Sequence, residues 1–164
     1  MGAGKSSVGH AVADRLRFDF LDTDELIESQ AGKSITELFA AAGELAFRER
    51  ERQVVQQLGQ RTRTVIATGG GLPANAQNLA DLQAHSLVVY LWASPEMLWE
   101  RVRFQAHRPM LHDPDPLARI RALLTARDPF YRQADVLVNT ERRSVIEVAQ
   151  HVISQFRLAV SDQR

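Results

Sequence analysis

No cysteine occurs among the 164 residues. That excludes disulfides, thiolate catalysis and Cys-based zinc sites. The five histidines are scattered, and none stands in H-E-x-x-H spacing, which argues against a zinc site. Neither sign of charge dominates: Lys plus Arg and Asp plus Glu each number 20, for a formal net charge of +0. No global field attracts nucleic acid or an anionic membrane, so any anion chemistry has to come from local clusters. There is no long apolar run, no stretch that reads as a secretory leader, no internal repeat and no low-complexity linker. The expectation is a cytoplasmic monomer with no nucleic-acid or membrane partner. The remaining composition, 45% hydrophobic and 24% charged, suits a single domain over 1–164.

The informative residues come at the start. Met1-Gly2-Ala3-Gly4-Lys5-Ser6-Ser7 carries the tail of the phosphate-binding pattern G-x-x-x-x-G-K-[ST], on Gly4, Lys5 and Ser6. Glycines let backbone N–H groups converge on phosphate oxygens, Lys5 adds a point charge, and the Ser6 hydroxyl can ligate Mg²⁺. A Gly/Ser/Lys run is also an ordinary flexible tail. Val8, Ala11, Val12 and Leu16, however, recur at helical spacing, and neither Pro nor Gly follows Gly9 until Gly32. A helix from about Lys5 would aim its positive end at an anion. The pattern's first Gly would fall two residues before Met1, and the apolar strand that feeds such a loop is likewise outside the chain.

Downstream, helices alternate with short apolar strands. Strands are expected at Phe18–Leu21, Val65–Ala67, Leu87–Trp92 and Val136–Val138, and helices after Asp24, Ser34, Gly43, Ser94, Asp115 and Ser144. This alternation predicts an α/β protein in three layers, a parallel sheet with helices on both faces. Such sheets bind ligands at the carboxyl ends of their strands, where Asp22-Thr23-Asp24 and Gly69-Gly70-Gly71 fall.

Each of these groups has two readings. Asp22 and Asp24 suit either helix capping or a role with Mg²⁺ and an attacking hydroxyl. Gly69–Gly71 is either a hinge or a place where ligand meets bare backbone. Spacing leaves Arg48 undecided between a solvated helix face and a site, and Arg108 and Arg132 undecided between surface and ligand. Phe104–Asp115 reads as a long loop of the lid type.

Together, six motifs in order resemble the shikimate kinase family. Met1 to Ser6 match its Met-Gly-Ala-Gly-Lys-Ser, Asp22 to Asp24 its Asp-Thr-Asp, and Phe47-Arg48 its Phe-Arg. Gly69 to Gly71 match its Gly-Gly-Gly, Arg108-Pro109-Met110-Leu111 its Arg-Pro-hydrophobic-Leu, and Phe130-Tyr131-Arg132 its Leu/Phe-Tyr-Arg. The likeness runs from Met1 to about Arg157. It implies a P-loop kinase domain with a substrate-binding helical insert at about 24–58 and a lid at about 104–115. It implies transfer of the ATP γ-phosphoryl group to the 3-hydroxyl of shikimate, with Mg²⁺ as cofactor. By position, Gly2, Ala3, Gly4, Lys5, Ser6, Ser7, Arg101, Arg108 and Arg143 would contact ATP. Ser6, and Asp22 through water, would hold the metal. Asp24, Arg48, Gly69, Gly70, Gly71 and Arg132 would bind shikimate, with Lys5, Asp24 and Arg108 catalytic and Arg48 and Arg132 clamping the carboxylate. Hydrogen exchange in the lid is expected to slow when both substrates bind.

The resemblance also implies a first strand, absent from this chain, lying between the strands at Val65–Ala67 and Leu87–Trp92. Four or five buried aliphatic residues contribute about 1.5–3 kcal/mol each, a sum that rivals a net stability of roughly 5–15 kcal/mol. The reading frame is therefore expected to start upstream of Met1, or the segment to have been left out. Two alternatives stand beside shikimate kinase. One is a gluconate-kinase-like enzyme, which the Asp-Thr-Asp and Phe-Arg pairing fits less well. The other is a non-catalytic ligand sensor on the kinase scaffold, against which the presence of Lys5 and Asp24 argues.

Overall fold

Capping side chains set where most helices begin. In the computed structural model, which describes residues 2–104 and 114–161, Ser34 accepts from the Glu37 N–H and the Glu37 carboxylate returns the bond to the Ser34 N–H. This reciprocal capping box starts α3, Ile35–Leu58. Asn75 starts α4 (Ala76–His85), Ser94 starts α5 (Pro95–Val102) and Asp115 starts α6 (Pro116–Tyr131), each accepting from N–H groups of the first turn. Ser144 and Glu147 form a second capping box at α7, Val145–Ser161. The remaining helices are α1, Lys5–Leu16, and α2, Thr23–Ala31. Four strands lie among them: β1 Asp19–Asp22, β2 Thr64–Ala67, β3 Val89–Trp92 and β4 Val136–Asn139.

Strand ends differ from the sequence expectation by a residue or two, and at β1 the reason is local. Phe18 does not open β1, because its N–H closes the end of α1 on Ala13 O at 3.0 Å, while Arg17 turns the chain at φ 55°. The strand therefore ends on Asp22, which is also the N-cap of α2. Gly43, expected as a break between two helices, is one: at φ 76°, ψ 177° it is non-helical and kinks the chain between the two segments of α3.

All pairing is parallel. β1 pairs with β2, Asp19 opposite Thr64 through Asp22 opposite Ala67, and β3 pairs with β4, Val89 opposite Val136 through Trp92 opposite Asn139. Among the described residues these are two separate two-stranded sheets rather than one continuous sheet. The layers follow from strand alternation. Leu21 and Ile66 pack with Ile27, Leu38, Phe47, Val54 and Leu82 of α2, α3 and α4. Val65, Val89 and Val136 pack on the opposite face with Val8, Val12, Val148 and Ile153 of α1 and α7. A third cluster, Ala3, Ala93, Leu98, Val102 and Ile120, joins α5 and α6 to the start of the chain. The carboxyl ends of β1 and β2 thus open beside the N-terminus of α1.

Candidate functional site

Gly4 is the N-cap of α1 at φ 87°, a left-handed conformation that side-chain-bearing residues rarely adopt, and it sends the chain straight into the helix. The N–H groups of residues 5–7 form the first turn of α1, where the helix dipole is positive. Ser6 Oγ donates to Asp22 Oδ2 at 3.2 Å, and the other oxygen, Oδ1, accepts from the Asp24 N–H at 2.9 Å. Asp22 thus caps α2 and also faces the Ser6 hydroxyl. Arg101 Nη1 donates to Thr140 Oγ1 at 2.9 Å and to Gly2 O at 3.4 Å, and Nη2 donates to Thr140 O at 2.6 Å. Arg143 is exposed at the turn after β4.

The neighbouring wall is built from side chains. Asp24, in the first turn of α2, has its carboxyl pushed up from the ordinary 3.8 by burial and then by the Asp22 charge, with Lys5 opposing the shift. The three glycines after β2 each face a different group. A Cβ on Gly69 would lie 2.3 Å from Asp24 Oδ1, one on Gly71 would lie 2.2 Å from Arg48 Nη1, and one on Gly70 would lie 3.4 Å from Arg127 Nη1. The turn is itself pinned. The Gly69 N–H donates to Thr23 Oγ1 at 2.9 Å, and the Tyr131 hydroxyl donates to Gly70 O. Arg48 is held on α3 by Glu51 at 2.7 Å and Glu44 at 2.8 Å. Glu51 is 2% exposed, and burial pushes its carboxyl up while the Arg48 bond pulls it down.

Lys5, Ser6, Asp22, Asp24, Arg48 and Gly69–Gly71 therefore meet on one rim. Arg132 does not join them. It forms an ion pair with Asp128 and leaves 69% of its side chain exposed. The guanidinium beside the glycines is Arg127, whose charge also bears on Tyr131 and Glu51. Helical pitch explains the two positions. Arg127 and Tyr131 are four apart on one face of α6, whereas Arg132 is about 100° further round, with Asp128. The signal was present in the sequence: Ile120, Leu124, Arg127 and Tyr131 repeat at four, three and four. Glu51 and Thr23 were missed as well. Nothing in the charge run Arg48–Arg52 marks one carboxylate as buried. Arg108 and most of the expected lid, residues 105–113, lie outside the described residues. Among those described, no group of three or more His, Cys, Asp or Glu is arranged to hold a metal ion, and no helix is long and apolar enough to cross a membrane.

With this geometry in place, the chain can be compared with known proteins. The family description "Shikimate kinase" matches residues 1–157. The shikimate kinase of Symbiobacterium thermophilum is 44% identical over 160 residues, covering 96% of this chain and 92% of the relative. That of Burkholderia lata is 45% identical over 160 residues, covering 97% and 87%. Among solved structures, the Acinetobacter baumannii shikimate kinase in complex with shikimate superposes with a TM-score of 0.89 at 37% identity, covering 99% of this chain and 89% of that one. The Aquifex aeolicus shikimate kinase gives a TM-score of 0.84 at 32% identity, covering 96% and 92%. In sequence and in fold the chain belongs to the shikimate kinase family, ATP-dependent enzymes that phosphorylate the 3-hydroxyl of shikimate.

Proposed function

We propose that this chain binds ATP over residues 2–7 and shikimate against Asp24, Arg48, Arg127 and Gly69–Gly71, with Asp24 as the base of the transfer. The observation that carries this reading is the placement of one raised-pKa carboxylate between a phosphate loop and two guanidinium groups. Arg48 and Arg127 present planar forks that read a carboxylate bidentately, fixing the acid end of shikimate. The bare backbone of Gly69–Gly71 lets the ring lie close. The 3-hydroxyl then faces Asp24. Its oxygen attacks the γ-phosphorus, its proton passes to the Asp24 carboxylate, and the bond to the β,γ-bridging oxygen breaks with ADP taking the electron pair. Lys5 and the N–H groups of α1 stabilise the charge on the transferring group.

The donor set suits Mg²⁺. The Ser6 hydroxyl and the Asp22 carboxylate are hard oxygen ligands 3.2 Å apart, and Mg²⁺ takes few protein ligands and keeps several waters. Ser6 directly and Asp22 through water would hold the ion, which when bound neutralises phosphate charge. Arg101, Arg143 and Arg108 are assigned to the nucleotide, α2 and α3 to an acid-binding insert within a single domain, and the protein to the cytoplasm as a monomer. The test is phosphorus NMR of a reaction with ATP and either shikimate or gluconate. Shikimate 3-phosphate and ADP are expected. Phosphorylated gluconate, or no product with shikimate, overturns the reading.

A further inference from the structure

Arg48 already holds two carboxylates of its own helix. Nη1 donates to Glu51 Oε2 at 2.7 Å, and Nη2 donates to Glu44 Oε1 at 2.8 Å. The two partners differ in how freely they can leave. Glu51 is 2% exposed, and drawing Arg48 away from it would strand a buried charge. Glu44 is 65% exposed, and water replaces its ion pair at little cost. The ground around Glu44 is open as well. Gly43, just before it, is the kink between the two segments of α3, and a Cβ there would meet no described atom within 4 Å. Leu45, just after it, is almost fully exposed. A guanidinium forks onto a carboxylate in two ways, end-on through Nη1 and Nη2 or side-on through Nε and Nη2. Both ways use Nη2, the nitrogen that Glu44 engages. A third carboxylate arriving there would also meet the Glu44 charge at close range.

We propose that Glu44 is an intramolecular competitor for the acid: its carboxylate stands on Arg48 Nη2 where the substrate's carboxylate goes, and it yields that nitrogen when an acid binds. The inference rests on the reading of Arg48 as a clamp for shikimate. Glu51 stays in place throughout and keeps the guanidinium aimed, so one ion pair is exchanged for another on a fixed fork. No bond is made or broken, and a turn of the Glu44 side chain into solvent suffices. The exchange runs backwards after phosphoryl transfer. The product carries the same carboxylate, so the return of Glu44 to Nη2 helps it leave. Glu44 therefore weakens every acid at this clamp by one common factor. The nucleotide, held by main chain at the start of α1, lies outside the competition.

The test uses calorimetry on the whole chain with shikimate, with shikimate 3-phosphate and, separately, with an ATP analogue. Glu44→Gln removes the charge and keeps the length. It should tighten shikimate and shikimate 3-phosphate by the same factor, about two- to fivefold, the range of an exposed ion pair, and leave the ATP analogue unmoved. A role of Glu44 in helix stability alone would shift melting without that pattern. Arg48→Lys keeps a cation beside Glu51 but has no fork, and in that background Glu44→Gln should change nothing. Weakened or unchanged acid binding in Glu44→Gln overturns the proposal. So does equal tightening in the Arg48→Lys background, which would mark a general charge effect instead of competition for Nη2. If Arg48→Lys itself leaves shikimate affinity unchanged, the clamp reading fails and this inference falls with it. If Arg48→Lys weakens shikimate while Glu44→Gln does not tighten it, the clamp stands and only the competitor is lost.

Discussion

The two walls of the cleft are built on different principles. The wall proposed for phosphate is main chain: the amides of residues 5–7, the dipole of α1 and one left-handed glycine, all from a contiguous run. The wall proposed for the acid is side chain: Asp24 from α2, Arg48 and Glu51 from α3, Arg127 and Tyr131 from α6, gathered around a glycine turn that follows β2. A triphosphate offers many equivalent oxygens, and a helix terminus serves them without a fixed stereochemistry. A small hydroxylated acid has to be held in one orientation. That takes planar forks placed by tertiary contacts, and backbone bare enough to let each fork in.

The comparison breaks most visibly at Asp24. Asp24→Asn should lower turnover by about 10²–10⁴-fold while leaving shikimate binding largely intact, as read by coupled ADP release and by calorimetry. Unchanged turnover would remove Asp24 as the base. The same variant should melt at a higher temperature at neutral pH. The folded pKa is raised, so the charged form is disfavoured in the fold at pH above both values, and the neutral isostere escapes that cost.

Next in size is the test of which guanidinium clamps. Arg127→Lys keeps the charge but loses the fork. It should raise KM for shikimate by roughly 10- to 150-fold, from about 1.5–3 kcal/mol for hydrogen bonds to a charged group. Arg132→Lys, at an exposed ion pair, should change KM by less than about twofold. The opposite ranking would restore Arg132 to the site.

Smaller effects separate the glycines. Gly71→Ala sets a methyl 2.2 Å from Arg48 Nη1 and should raise KM roughly tenfold, overpacking costing about 1–3 kcal/mol. Gly69→Ala meets Asp24 Oδ1 at 2.3 Å and should act on kcat instead. If both variants moved the same parameter, the division of labour along the turn would be wrong. The least effect is on titration. Carboxyl NMR should place Asp24 above 3.8, and Asp22→Asn should bring it down by removing the nearby like charge. An unmoved Asp24 would leave burial as the sole cause. The acid limb of kcat/KM should follow Asp24, activity falling as pH drops through its raised value.

These contrasts also explain what was legible in the sequence. The phosphate wall could be read because its six residues are adjacent and its glycines have one steric purpose. Strand and helix alternation read well because it depends on local periodicity. The acid wall was half legible. Asp24, Arg48, the glycines and Arg132 carry distinctive motifs; Arg127, five residues before Arg132, carries none, yet it lies beside Gly70 while the Arg132 side chain is mostly exposed. A motif fixes order along the chain, and only the phase of α6 fixes which residue points inward. Glu51 was invisible for a related reason: in Arg48-Glu49-Arg50-Glu51-Arg52 every residue looks solvated until α3 is laid against its neighbours.

Arg101 ties the start of the chain to the turn after β4, three hydrogen bonds spanning Gly2 and both acceptors of Thr140. Two loops distant in sequence are thereby set at a fixed spacing. Under the proposed reading, with phosphates on the first loop and the base near the second, that spacing is set before the nucleotide arrives.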